Sequence, residues 1–143
     1  MNKIILIFAT LLFSTGAFAT GCDDLSLLGR FSYEISGVDA SFLNNSSTHS
    51  VGKVTFDGAG NVTLIGVRTS VGGDFEPESG NGSYHVNADC TASGLIGTFK
   101  VAIMLDQMDN VPTPNRAYHA AIAVNDTDQF SGSGSLTRLV SFR

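Results

Sequence analysis

The sequence predicts an all-β protein: a small antiparallel closed β-barrel of about 7–8 strands. Apolar and polar residues alternate with a period of two from Arg30 onward, and no segment after Leu28 keeps a helical period. Turn-forming clusters rich in Gly, Asn and Asp separate short strand-like runs. The chain has 143 residues, 16 of them Gly, and is 43% hydrophobic, which suits a single domain with one core. Many short strands joined this way make a sandwich or a barrel, and closure removes the edges that a small sheet otherwise exposes.

Residues 1–19 read as a signal peptide, and 20–143 as one barrel domain. Lys3 is the basic start, Ile4–Phe13 an uncharged apolar run, and Ala17-Phe18-Ala19 a small-x-small cleavage site. Ten apolar residues are too few for a spanning helix. Cleavage leaves 124 residues with 7 basic and 13 acidic side chains, a net charge of −6. No basic stripe is present, so nucleic acid is excluded as a partner. The expected location is periplasmic or secreted. A minor alternative is a lipoprotein anchored at Cys22, because Ala19-Thr20-Gly21-Cys22 is a degenerate lipobox.

Cys22 and Cys90 suggest one disulfide in an exported chain; the alternatives are free thiols or one lipidated cysteine. Asp23–Leu28 reads as a short helical turn with an aspartate at its start. Arg30–Ser36 is a strand with Phe31, Tyr33 and Ile35 inward. Val51–Phe56 and Val62–Thr69 flank the turn Asp57–Asn61, and a parity switch suggests a bulge at Gly66. Gly80–Asn87 and Gly94–Leu105 flank Ala88–Ser93. Arg116–Val124 and Gln129–Val140 flank Asn125–Asp128, with Tyr118, Ala120, Ile122 and Val124 on one face. Seven strands result, and Gly37–Asn44 offers an eighth. A transmembrane barrel shares this alternation but carries aromatic girdles, and here there are 3 Tyr and no Trp.

Two stretches carry a family resemblance. Gly52-Lys53-Val54-Thr55-Phe56-Asp57-Gly58-Ala59-Gly60-Asn61-Val62-Thr63 resembles a "TFDGxGNVT" signature, and Gly82–Thr91 resembles "GxYxVNxDCT". Cys22, Leu28–Tyr33 and the closing Gly132–Arg138 are similar to the start and end of the same small exported bacterial proteins. That resemblance implies a barrel similar to allene oxide cyclase and the lipocalins. It implies a fold and no activity.

Candidate chemistry is sparse. Asp57–Asn61 is turn chemistry, since one such loop offers too few oxygens for calcium. His49 reads as loop, while His85 and His119 fall on outward faces, so no metal site is expected. No serine sits in a G-x-S-x-G elbow. Glu34 is expected to pair with Arg30 or Arg68, and Asp74, Glu76 and Glu78 around Pro77 to form a solvated loop, with a cation-binding edge as the rival reading.

No cofactor and no catalytic residue is expected. The leading expectation is non-enzymatic binding of a small apolar ligand inside the barrel, against Phe31, Tyr33, Phe56, Tyr84, Phe99 and Tyr118. The large residues argue for a filled interior, and the glycines of the last strand for some space. A structural or interaction protein of the envelope is one alternative. An enzyme of cyclase or isomerase type, by analogy of fold, is the other, and it requires a buried polar group facing a pocket, such as Glu34 or Tyr118.

Overall fold

The computed structural model describes residues 21–39, 46–69, 73–108, 116–126 and 130–139. Residues 1–20, which hold the signal-peptide and cleavage-site expectation, and Asp128 lie outside the described residues. A 3₁₀ turn, Asp24–Leu27, precedes eight strands. These are β1 (Gly29–Asp39), β2 (Ser46–Phe56), β3 (Asn61–Thr69), β4 (Phe75–Val86), β5 (Thr91–Ile96), β6 (Phe99–Met108), β7 (Ala117–Asn125) and β8 (Phe130–Arg138). Each strand pairs antiparallel with the next, and β8 pairs with β1 to close the barrel.

The eighth strand does not come from Gly37–Asn44. Gly37–Asp39 extends β1, and residues 40–44 lie outside the described residues. Instead, the expected strand Gly94–Leu105 is two strands. Ile96 pairs with Phe99 around a two-residue hairpin loop, and Gly97 enters it at φ +60°. A glycine suits that positive φ, which a side chain resists.

The acidic stretch is a strand, not a loop. Phe75–Asn81 pairs with β3 on one side, while β4 pairs with β5 only over Gly82–Val86. Pro77 is tolerated there because it lies beyond the β5 pairing. No bulge occurs at Gly66, whose pairing with Gly52 and with Glu78 is in continuous register. His49 is likewise in β2 and not in a loop.

One end of the barrel is plugged. Phe31, Phe56 and Leu27 are fully buried there, and the Phe31–Phe56 and Phe56–Tyr84 rings meet edge to face at 5.7 and 4.9 Å. Asp23 caps the 3₁₀ turn, its carboxylate accepting from Ser26 N at 3.2 Å. Tyr84 Oη donates to Asp24 O and accepts from Gly58 N, both at 3.0 Å. Arg138, at the end of β8, donates to Ala117 O and Leu28 O at 2.6 Å and to Ser26 O at 3.4 Å. Its guanidinium also lies 4.8 Å from the centre of the Phe31 ring.

The Cys22–Cys90 disulfide fastens the plug to the β4–β5 turn, with the two Cα atoms 4.9 Å apart. For a separation of 68 residues, the chain-entropy argument gives about 4 kcal/mol of stabilisation.

Candidate functional site

The opposite end contains a cavity of about 100 Å³. Ile35, Ile96, Val101, Ile122 and Val124 line much of it, together with Phe99 and Phe130, whose rings meet edge to face at 6.0 Å. The polar lining is Ser50, Arg68, Glu78 and Ser79.

Register explains how Glu78 is held. Tyr33 on β1 lies opposite Gly52 on β2, Gly52 opposite Gly66 on β3, and Gly66 opposite Glu78 on β4. Directly paired residues share a face, so all four point into the barrel. A Cβ on Gly66 would lie 2.0 Å from Tyr33 Oη, and one on Gly52 would lie 2.7 Å from the Tyr33 ring. The two glycines therefore form a seat along which the Tyr33 ring lies.

At the far end of that seat, Tyr33 Oη donates to Glu78 Oε1 at 2.5 Å. Ser50 Oγ donates to the same Oε1 and lies 3.4 Å from Tyr33 Oη. Glu78 Oε2 receives no hydrogen bond among the described residues. Burial, reinforced by the Glu78 carboxylate, holds the Tyr33 hydroxyl well above the usual tyrosine range, so it stays a donor.

Arg68 lies one inward position beyond Gly66, opposite Glu76, and its Nη2 donates to Glu76 Oε2 at 3.5 Å. This corrects the expected Glu34–Arg68 pairing, because Arg68 faces inward and Glu34 outward. Glu34 Oε1 instead lies 3.2 Å from His49 Nε2. Thr48 Oγ1, on the same inner face of β2 as Ser50, is buried without a partner among the described residues.

The six expected interior residues separate. Phe99 lines the cavity, and Tyr33 reaches its wall through Ser50 and Glu78. Phe31, Phe56 and Tyr84 pack the plugged end. Tyr118 is a correction: it is 42% exposed and lies on the outside. The β6–β7 register shifts around Gln107, with Leu105 opposite Ala120 and Met108 opposite Ala117. One extra residue on each strand, Asp106 and Tyr118, resets the alternation, so Ala117 takes the buried position.

The glycines of β8 are a second correction. Gly132 and Gly37 sit under the Phe130 ring, where an added Cβ would lie 2.6–2.8 Å from it, so they seat a side chain and leave no open space. Sequence reasoning missed Glu78, Ser50, Arg68 and Phe130. The acidic stretch around Pro77 was the available signal for Glu78.

A second polar constellation lies on the outer wall. Ser36 Oγ is 2.7 Å from His49 Nδ1, and His49 Nε2 faces Glu34. That is the order of nucleophile, base and orienting acid. The side chains stand on an open sheet face, with His49 and Glu34 47% and 66% exposed. The main chain around Ser36 is paired with β2 and β8, so among the described residues no pair of N–H groups is placed to hold an oxyanion. His85 and His119 each approach one carboxylate, Asp24 at 3.4 Å and Asp106 at 2.9 Å. Among the described residues, no three His, Cys, Asp or Glu side chains converge as a metal site would require. The chain matches no family model, no curated protein and no solved structure.

Proposed function

We propose that this protein binds a small, mainly apolar ligand at the open end of its barrel, without catalysis, after export to the periplasm or medium. The cavity of about 100 Å³ between Ile35, Phe99, Ile122 and Phe130 carries this reading. Binding sites of this kind are concave and mostly apolar, with a few fixed polar groups. Its volume is below the roughly 150 Å³ of an apolar cavity that takes benzene, so the buried part of the ligand is a short alkyl or small cyclic group. The apolar N-terminal run and the disulfide support export. Titration with 1-butanol, followed by amide chemical shifts in NMR, tests it. Saturable shifts at Ile35, Val101 and Ile122 are expected, and none at tens of millimolar overturns it.

The outer wall favours a second reading, an interaction protein. Val51, Val67 and Pro77 stand side by side on β2, β3 and β4. Ile65 and Phe75 flank them, 71% and 74% exposed. Exposed apolar groups of this size mark contact surfaces when they are contiguous. Sedimentation of the protein tests self-association through this wall, and Ile65→Asp should then release monomers. A wild-type monomer at all concentrations counts against that form of the reading.

A further inference from the structure

Glu78 is the carboxylate among the described residues of a mainly apolar wall, and its protein partners leave half of it unused. Both hydroxyl donors, from Tyr33 and Ser50, converge on Oε1, and Oε2 has no donor among the described residues. A carboxylate beside an apolar cavity is costly unless something meets its charge. Among the described residues, Arg68 is the one cation in the lining, and it is turned to Glu76.

The charge balance points the same way. Among the described residues, the inner face of β3 and β4 at this end carries Glu76 and Glu78 against Arg68. Such a mouth attracts cations and repels anions before any contact is made. The rings of Phe99 and Phe130 border the same space, and an aromatic ring attracts a cation through its quadrupole.

From these observations we infer that the ligand is a small organic ammonium, a primary amine on a compact apolar body, with its N–H groups directed to Glu78 Oε2. This rests on the proposed binding function and names the chemical class that the cavity selects. A carboxylate ligand meets the wrong charge. A neutral alcohol fills the same space but forgoes the charge-assisted bond.

Three ligands with one tail separate these cases: n-butylammonium, 1-butanol and butyrate, titrated into the oxidised full-length protein at pH 7 and followed by NMR. The ammonium should bind about tenfold tighter than the alcohol, and butyrate weakest of the three. Glu78→Gln should bring the ammonium down to the affinity of the alcohol and leave the alcohol unchanged. If all three bind alike, the apolar site stands and the amine assignment is overturned. If butyrate binds tightest, Arg68 is the selecting group and the assignment is likewise wrong. If none binds, both readings fall. Should Glu78→Gln not fold, the order of the three ligands on the wild-type protein decides alone.

Discussion

Tyr33 on β1 and Glu78 on β4 are joined by a 2.5 Å hydrogen bond that passes over two strands. Both intervening residues of that row, Gly52 and Gly66, lack side chains. The bond thus depends on two absences as much as on the two groups that make it.

Substituting one of those glycines tests this directly. Gly66→Ala places a Cβ 2.0 Å from Tyr33 Oη and 2.6 Å from Val51 O. Overpacking of this kind costs about 1–3 kcal/mol. Urea denaturation should show that loss, and the Tyr33→Phe background should recover part of it, because the nearest clashing atom is then gone. Strict additivity of the two changes would show that the ring does not lie in this seat.

Phe130 controls the size of the cavity. It is buried, seated on Gly37 and Gly132, and forms part of the lining. Phe130→Ala should cost about 3–5 kcal/mol and enlarge the cavity. Benzene should then raise the melting temperature of the variant by more than that of the wild type. Equal shifts would place Phe130 outside the binding space.

Arg138 ties the end of β8 to the plug by donating to three carbonyls. Arg138→Leu removes those donors and leaves the Leu28 and Ala117 carbonyls short of a partner, at a cost of about 2–4 kcal/mol. Lysine should restore only part, since it lacks the planar fork. Thermal denaturation of the two variants against wild type reads both effects.

The disulfide should be worth about 4 kcal/mol by chain entropy. Cys22→Ala with Cys90→Ala should lower the urea midpoint accordingly, with the strands still formed by circular dichroism. A midpoint unchanged within error would mean that the hydrogen bonds of Asp24 and Tyr84 hold the plug without it.

Two tyrosines set a limit at high pH. Burial, mainly, raises Tyr84 from 10.0 to about 12 and Tyr33 further still. Above pH 10 the unfolded chain loses protons that the folded protein keeps. The stabilisation is therefore whole below that pH and is lost as pH rises beyond it. Urea midpoints should fall from about pH 10 upward, and fall less steeply in Tyr84→Phe. Tyrosinate absorbance should rise together with unfolding.

Alternation alone was enough to turn Phe31, Phe56 and Tyr84 inward, because their strands keep an unbroken period of two. It failed at Tyr118, where paired bulges reset the count and only the partner strand reveals them. Glu78 was hidden for a different reason. An inward-facing carboxylate at a barrel mouth and a solvated one in a loop have the same sequence pattern, and Pro77 argued for the loop. Gly66 looked like a break in the strand because its purpose lies on β1, 33 positions away in the chain at Tyr33. The Cys22–Cys90 link was legible from residue count and the expected compartment, since the chain has only 2 Cys.

Closure of the ring has a consequence for the order of events during folding. Seven of the eight pairings join neighbours in sequence, but Phe31 meets Arg138 only after nearly the whole chain exists. Until β8 is in place, the side of β1 that faces it has no strand partner. A chain truncated before Phe130 would leave β1 and β7 each with an open edge, the form most prone to pair with another chain. β8 is thus the latch of the barrel, and Arg138 fastens its end to the carbonyls of Leu28 and Ser26.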